Sequence, residues 1–320
     1  MTYKLNLIKN NGFRKSLTPI SGNLSWKDSI DTLGMELSFD IARRDDKVEI
    51  GDKIIMYSNN KEIFRGIIVD LGTEIYTKSI TAFDYAFYLN KSKTIVQFNK
   101  TRADNAIRTL CSKFNIPIGR IVGISTPIAK IYKDDTISDI IKDILDQATS
   151  TLGIKYRLEM REGKLFIERY TELIVKPIFK SLNLDVLKNI GGISKSESIS
   201  DMKNSILISS GDEKSSRVVA TAKDNKNISK FGLLQDVESV DDKDIAKAKN
   251  IAKNKLKELN KIGEDISLGP LLGDDRVRAG RILELDNNLF GLKGKYLVKD
   301  CTHNYHNSIH TMNVTIEKVI

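Results

Sequence analysis

Apolar and polar residues alternate with a period of two through most of the first 95 residues, the pattern of strands with one buried face. Tyr3–Ile8 and Phe13–Leu17 flank Asn11-Gly12, a tight-turn dipeptide, and Met35–Ile41 sets Leu37, Phe39 and Ile41 on one side. Two β-branched and aromatic runs, Lys53–Tyr57 and Glu62–Val69, are split by the polar tetrad Ser58-Asn59-Asn60-Lys61 and read as a hairpin. Gly66 interrupts the second run, where a strand bends, bulges or meets another backbone closely. In Lys78–Phe83, Ile80 and Ala82 face one way and Thr81 and Phe83 the other. Asp84 follows, placed to cap a short helix carrying Tyr85, Tyr88 and Leu89. Residues 1–95 are therefore expected to form one antiparallel β-barrel, apolar inside and charged outside.

The period lengthens to that of a helix at Asn99. Thr101 is placed as an N-cap with Asp104 three residues on, ahead of the stripe Ala103, Ala106, Ile107, Leu110, Cys111 and Phe114; Asn115-Ile116-Pro117 ends it. A second helix repeats the signal with Thr136 and Asp139, carries Ile137, Ile140, Ile141, Ile144, Leu145, Ala148 and Leu152, and stops at Gly153. A hairpin follows, Ile154–Met160 and Leu165–Tyr170 around Arg161-Glu162-Gly163-Lys164. Residues 96–190 thus read as an α+β insertion. After Gly191-Gly192 strands return: Asn204–Ser209 and Arg217–Lys223 around Gly211-Asp212-Glu213-Lys214, then Arg281–Leu285, Tyr296–His303 and Ile309–Val319. Asp241-Asp242 opens the longest helix, near 241–262, with Ile245, Ala248, Ala252, Leu256 and Leu259 on one face. The expected fold class is α+β, mainly β. Residues 191–320 would make a second antiparallel barrel from 191–235 and 265–320, with that helix inserted.

Charge alters this picture little. The formal net charge is +9, but Lys and Arg against Asp and Glu number 14 to 12 over residues 1–95, 16 to 11 over 96–190 and 21 to 19 over 191–320. No basic stripe interleaves with aromatics, so the lysines read as solvated surface and no sequence-specific nucleic-acid partner is expected. No apolar run reaches the roughly 18–20 residues of a membrane span, and Met1–Ile8 alternates like a strand rather than a signal peptide. Cys111 and Cys301 are the only cysteines, which points to a reducing compartment and synthesis in a cytoplasm.

Candidate chemistry is sparse. His303, His306 and His310 fall within eight positions and are weak candidates for a transition metal, with Cys301 and Asp300 nearby. On a strand His303 and His306 point to opposite faces, so the favoured reading is a polar hairpin tip, with no metal and no cofactor. Asp45-Asp46, Asp134-Asp135, Asp241-Asp242 and Asp274-Asp275 sit in loops or caps, where Asp belongs for backbone reasons. No nucleophile elbow, zinc-protease helix or phosphate-binding loop is present, and no catalytic residue is assigned. Trp26, the one tryptophan, reads as core or subunit contact.

Two groups of residues carry a family resemblance. Gly51, Asp52, Phe64-Arg65-Gly66-Ile67, Asp84, Tyr88-Leu89 and Lys91-Ser92 occur in the order seen in the first barrel of baseplate hub proteins of contractile tails. Near the end, Lys257-Glu258-Leu259-Asn260, Gly280, Gly294-Lys295-Tyr296-Leu297-Val298, His303 and Thr311-Met312 match the same family. The chain therefore resembles the late-control D and XkdQ–YqbQ type of hub protein, found in phages, defective prophages and phage-tail-like bacteriocins. The resemblance implies a non-enzymatic structural role, as a homotrimeric ring adapting a six-fold tail tube to a three-fold central spike. Its implied partners are the tail tube protein, the central spike protein and other baseplate proteins, including a LysM-type adaptor and a tape measure protein. Its implied place is the tail baseplate of a particle assembled in the bacterial cytoplasm, and the motif residues, Tyr296, Val298, His303, Thr311 and Met312 among them, are its implied assembly positions. The alternative is a cell-wall hydrolase or glycan-binding module of the same particle. A lone tryptophan gives glycan binding little support, and the last strand runs to the end of this sequence, leaving no fused wall-degrading domain to expect.

Overall fold

The computed structural model describes residues 2–43, 48–177, 193–211, 215–242, 245–287 and 292–319. These residues are mainly β, with 54% of them in strands and 22% in helices. The Asp45-Asp46 pair, Gly191-Gly192 and the centre of the turn at 211–214 lie outside the described residues.

The first segment comprises β1 (Tyr3–Ile8), β2 (Arg14–Ser16), β3 (Ser21–Ser29), β4 (Met35–Ala42), β5 (Lys53–Ser58), β6 (Lys61–Thr73) and β7 (Thr77–Asp84). Asn59 and Asn60 both take left-handed φ, 47° and 66°, as the tight hairpin turn between β5 and β6 requires. The strands pair in the order β3-β4-β7-β6-β5-β1-β2. Their inner residues, Leu5, Leu37, Phe39, Ile54, Met56, Phe64 and Ile68 among them, form one apolar cluster. The Tyr3 ring of β1 lies 5.2 Å from the Trp26 ring of β3, so the sheet curls until its distant strands meet over that core.

The next segment holds α1 (Ala86–Lys91), β8 (Lys93–Arg102), α2 (Ala103–Lys113), β9 (Ile118–Ile121), β10 (Pro127–Thr136), α3 (Ile137–Leu152), β11 (Tyr156–Arg161), β12 (Lys164–Arg169) and β13 (Ile174–Val175). Thr136 caps α3 as expected, accepting from the Asp139 N–H, and Gly153 closes it in left-handed conformation. Thr101 does not cap α2. It is drawn into β8, opposite Ile128 of β10, and the helix begins after Arg102 without a side-chain cap. Long-range strand pairing overrides the local capping signal here, and Asp104 forms an ion pair with Arg102 instead.

Strands β14 (Ile193–Ser198), β18 (Gly263–Leu272), β19 (Ile282–Asn287), β20 (Leu292–His306) and β21 (Ile309–Lys318) surround a further core that includes Leu268, Leu283, Tyr296, Val298, Met312 and Ile316. The expected alternation of Met312, Val314 and Ile316 is met, all three being buried. Strand β20 is 15 residues long. Its first part pairs with β19 and its second with β3, which joins the two halves into one 13-stranded sheet. Among the described residues no ring of hydrogen-bonded strands closes in either half; the sheet path runs from β14 at one edge to β2 at the other.

The strands expected in a second barrel between 204 and 223 lie elsewhere. With α4 (Asn225–Phe231) and α5 (Ile245–Leu259), β15 (Ser205–Gly211), β16 (Ser216–Lys223) and β17 (Gln235–Ser239) make a separate three-stranded unit. Ile206 and Ile208 of β15 pack there on Ala248, Ile251 and Ala252 of α5. The short strands bury their apolar face against that helix, which leaves none to join the larger sheet. The helix itself begins its described course at Ile245 and gives way to β18 at Gly263. Asn250 and Asn254 donate side-chain hydrogen bonds to the Thr151 and Ser150 carbonyls at the end of α3, tying this unit to the preceding one.

Candidate functional site

Two polar clusters lie where the segments meet, and both are buried. The first centres on Glu159 of β11, which is 2% exposed. Its sequence alternates like an ordinary half-exposed strand, yet all of Tyr156–Met160 is buried, because α3 covers one face and the β18–β19 connection the other. Arg281 donates to both Glu159 oxygens at 2.8 and 3.1 Å, Arg161 Nε stands 3.0 Å from Oε1, and Arg278 Nη2 is 4.0 Å from Oε2. Burial alone would push the Glu159 carboxyl up; Arg278 and Arg281 outweigh it and hold the group down at about 2. Arg278 also reaches Asp28 of β3, whose other oxygen accepts the Ala279 N–H. This network therefore joins the first sheet, the α+β segment and the last segment. A cleft of about 680 Å³ opens beside it, lined by Lys61, Glu62, Arg161, Phe166, Asp275 and Arg276 among others.

Asp84 stands at the edge of the same junction. One oxygen accepts the Ala86 N–H at the start of α1 and the other the Met35 N–H, each at 2.9 Å. Asp84 is not the N-cap residue, which is Tyr85 without a side-chain cap bond, but from one position earlier it accepts the first N–H of the short helix and also ties β4 to that turn. Burial pushes its carboxyl up to about 6. Replacing Asp84 with Ala leaves two buried N–H groups without acceptors and is expected to cost about 2–4 kcal/mol, read from the urea midpoint. Because the folded group is raised, its neutral form contributes stability that is fully present below its ordinary value of 3.8 and is lost as pH rises through about 6. The penalty of Asp84→Asn relative to wild type should accordingly shrink as pH rises through that window.

The second cluster contains two of the three histidines. His303 and His310 are buried, and His303 Nδ1 lies 2.9 Å from His310 Nε2. His306 alone sits at the exposed tip, beside the Asn307-Ser308 turn with its left-handed φ values of 49° and 64°. The polar-tip reading thus applies to His306 only: the turn sets a register in which His303 and His310 both face inward. Trp26 stacks on His303 at 4.9 Å, which makes it a core residue. Cys301 Sγ is 3.1 Å from His303 Nε2, a thiol–imidazole contact, but burial raises the thiol well above its ordinary value, opposite to what an activated nucleophile needs. Among the described residues no group of three or more His, Cys, Asp or Glu is arranged to hold a metal ion. No helix among them is long and apolar enough to cross a membrane.

The motif residues are dispersed, each with a local reason. Gly51 turns at φ 88°, and buried Asp52 accepts the Glu49 N–H and pairs with Lys9. Phe64 points into the first core, while Ile67 is buried on the opposite face of the same strand. Arg65 is held by both oxygens of Glu62. Leu89 is buried and Tyr88 half exposed; Tyr296, Val298 and Met312 belong to the last core, beside half-buried Thr311. Sequence reasoning did not single out Asp28, Glu159, Arg278 or Arg281, whose pairings with one another span more than 100 residues.

Comparison with known proteins agrees with this architecture. The chain is 30% identical over 273 residues to YqbQ of Bacillus subtilis (strain 168), covering 84% of this chain and 82% of that protein. It is 29% identical over the same length and coverage to the phage-like element PBSX protein XkdQ of that organism. The fold is similar to the 43 kDa tail protein of prophage MuSo2 from Shewanella oneidensis (TM-score 0.68, 12% identity, 98% of each chain). It is equally close to a tail protein from Neisseria meningitidis MC58 (TM-score 0.67, 13% identity, 99% of this chain and 97% of that one). A more distant likeness is to E. coli c3393, described as a type VI secretion component similar to T4 tail proteins gp27 and gp5 (TM-score 0.56, 7% identity, 94% and 74%). The YQBQ-like family model matches residues 24–317, nearly the whole chain, and the protein belongs to that family.

Proposed function

We propose that this chain is a structural component of a phage-type tail, and specifically the baseplate hub that joins the tail tube to the central spike. The observation that carries the reading is the likeness of fold to phage tail proteins along the full length of the chain. The relation to XkdQ of a phage-like element, and to a secretion component likened to gp27 and gp5, supports the same role. Three copies would form a ring, each offering the two halves of its sheet to a six-fold tube and one equivalent position to a three-fold spike. Among the described residues β2 and β14 end the sheet path, and such edges suit a ring, because an edge strand is satisfied when a neighbour covers it. The tail tube protein, the spike protein, a LysM-type adaptor and the tape measure protein are the proposed partners, in a tail baseplate assembled in the bacterial cytoplasm. The three domains of this reading are residues 1–95, 96–190 and 191–320, the last now carrying the small sheet unit of β15–β17.

Images of assembled particles should show three copies in an annulus between tube and spike. Six copies there, or none, would remove the hub reading while leaving a tail role open. No catalytic step is assigned. Purified chain on a peptidoglycan zymogram should give no clearing, and clearing abolished by one Asp or Glu substitution would favour the hydrolase reading instead.

A further inference from the structure

The buried histidines belong to a continuous row of hydrogen bonds whose protons can be counted. Val277 O, which can only accept, lies 2.9 Å from His303 Nε2, so that nitrogen carries a hydrogen. With His303 neutral, its Nδ1 is bare and must accept from His310 Nε2. A neutral His310 then has a bare Nδ1, which needs the Tyr3 hydroxyl proton 2.9 Å away. Asp275 Oδ1, 2.8 Å from the same hydroxyl, needs that proton too. Tyr3 has one proton for two acceptors.

One added proton resolves the conflict. On His310 Nδ1 it is donated to the Tyr3 oxygen, Tyr3 donates to Asp275, and His310 Nε2 still donates to His303; every contact in the row is then satisfied. Within the imidazole pair a second proton can go only to His303 Nδ1. There it would point at the His310 Nε2 hydrogen, with two positive rings 5.1 Å apart.

We propose that this row is a proton-operated latch between the N-terminal strand and the last hairpin, closed with His310 neutral or protonated and opened when His303 is protonated as well. What it joins is specific: Tyr3 is on β1, His303 on β20, His310 on β21, and Asp275 on the connection before β19. Ser58, at the end of β5, also donates to Asp275. The proposal does not depend on the hub reading.

The surroundings set where the latch titrates. Asp28, Asp274 and Asp275 face the pair and favour protonation, while Arg278 opposes it. Cys301 and Tyr305 complete the shell, the latter packed edge-on against Tyr3. Burial dominates and drives His303 below the ordinary imidazole value and His310 to about 4. The two titrations are therefore coupled and both lie on the acid side.

Trp26 supplies the readout. It is the only tryptophan, stacked on His303 with 5° between planes and 5.1 Å from His310, and an imidazolium in contact quenches indole emission. Titrating the full chain from about pH 8 to about pH 3 should quench Trp26 in two steps, the upper with near-ultraviolet circular dichroism intact and the lower with that signal lost. In His310→Gln the amide still donates to His303 and accepts from Tyr3, so the upper step should vanish. Both steps surviving in His310→Gln, a single wild-type step coinciding with loss of far-ultraviolet signal, or loss of a step in the exposed control His306→Gln would overturn the latch. Nitrogen-15 resonances of the wild-type histidines test the row without any variant: at neutral pH His303 should be the Nε2–H tautomer, and an Nδ1–H tautomer would refute it.

Discussion

Replacing Glu159 with Ala is expected to cost about 3–5 kcal/mol of stability and to loosen the contact between the first sheet and the last segment. Glu159 is the shared counter-charge of three guanidiniums, and none of its neighbours can take its place. Asp28 is already engaged by Arg278 and Ala279 N–H, and Glu168 by Arg120 and Arg161. The variant leaves Arg281, itself 8% exposed, without the only carboxylate it contacts among the described residues. The loss is thus an uncompensated buried charge rather than a missing contact, and Glu159→Gln should recover only a small part of it. Truncating the exposed turn residue Glu162, three positions on, should change stability by less than about 0.5 kcal/mol. Urea denaturation of the three variants at neutral pH reads the comparison, and equal midpoints for Glu159→Ala and Glu162→Ala would refute it. The pH dependence has a definite sign. The folded carboxyl is held at about 2 against an ordinary 4.5, so its contribution is complete above 4.5 and is lost as pH falls toward 2. Wild type and Glu159→Gln should therefore converge in stability over that interval.

What the sequence disclosed and what it withheld follows how far each interaction reaches along the chain. The Thr136 cap and Gly153 stop of α3 and the Asn59-Asn60 turn involve neighbours within five positions, so residue type alone specifies them. Thr101 carried the same capping signal as Thr136, but the pairing of β8 with β10 reaches across about 30 positions and absorbed it. Clustering of the histidines was visible, while the choice of which two turn inward depends on hairpin register. That register is set by two left-handed residues, Asn307 and Ser308, neither of them glycine. Glu159 was invisible for a deeper reason. A charged residue alternating with Leu158 and Met160 looks like the wet side of a strand, and only the arrival of Arg278 and Arg281 shows that this strand has no wet side. The mainly-β class was legible because each half keeps one apolar face per strand. The joining of both halves through β20 was not, because the alternation that buries one face says nothing about which neighbour takes each edge.

Gly66→Ala is the other change expected to be severe, with a loss of about 3 kcal/mol or more and a fall in soluble yield. The backbone here needs no left-handed conformation; the constraint is space. A β-carbon on Gly66 would lie 2.0 Å from the Phe83 carbonyl oxygen and 2.6 Å from its carbon, well inside contact distance. The Phe64 ring, 2.7 Å away, could rotate or be trimmed, but the carbonyl belongs to β7 and has no such freedom. Gly66 is also the register partner of Ile54 on β5 and of Asp84 on β7, so relief requires prising apart the centre of the sheet. Displacing β7 would drag Asp84 from the Met35 and Ala86 N–H groups, which couples the clash to the start of α1. Two controls separate backbone from side-chain obstruction. Gly22→Ala adds a methyl where nothing lies within 4 Å and should be nearly neutral. Adding Phe64→Leu to Gly66→Ala clears the ring but leaves the carbonyl, so it should not restore stability. Recovery in that double variant would show that the ring, not the strand, sets the requirement for glycine at this position.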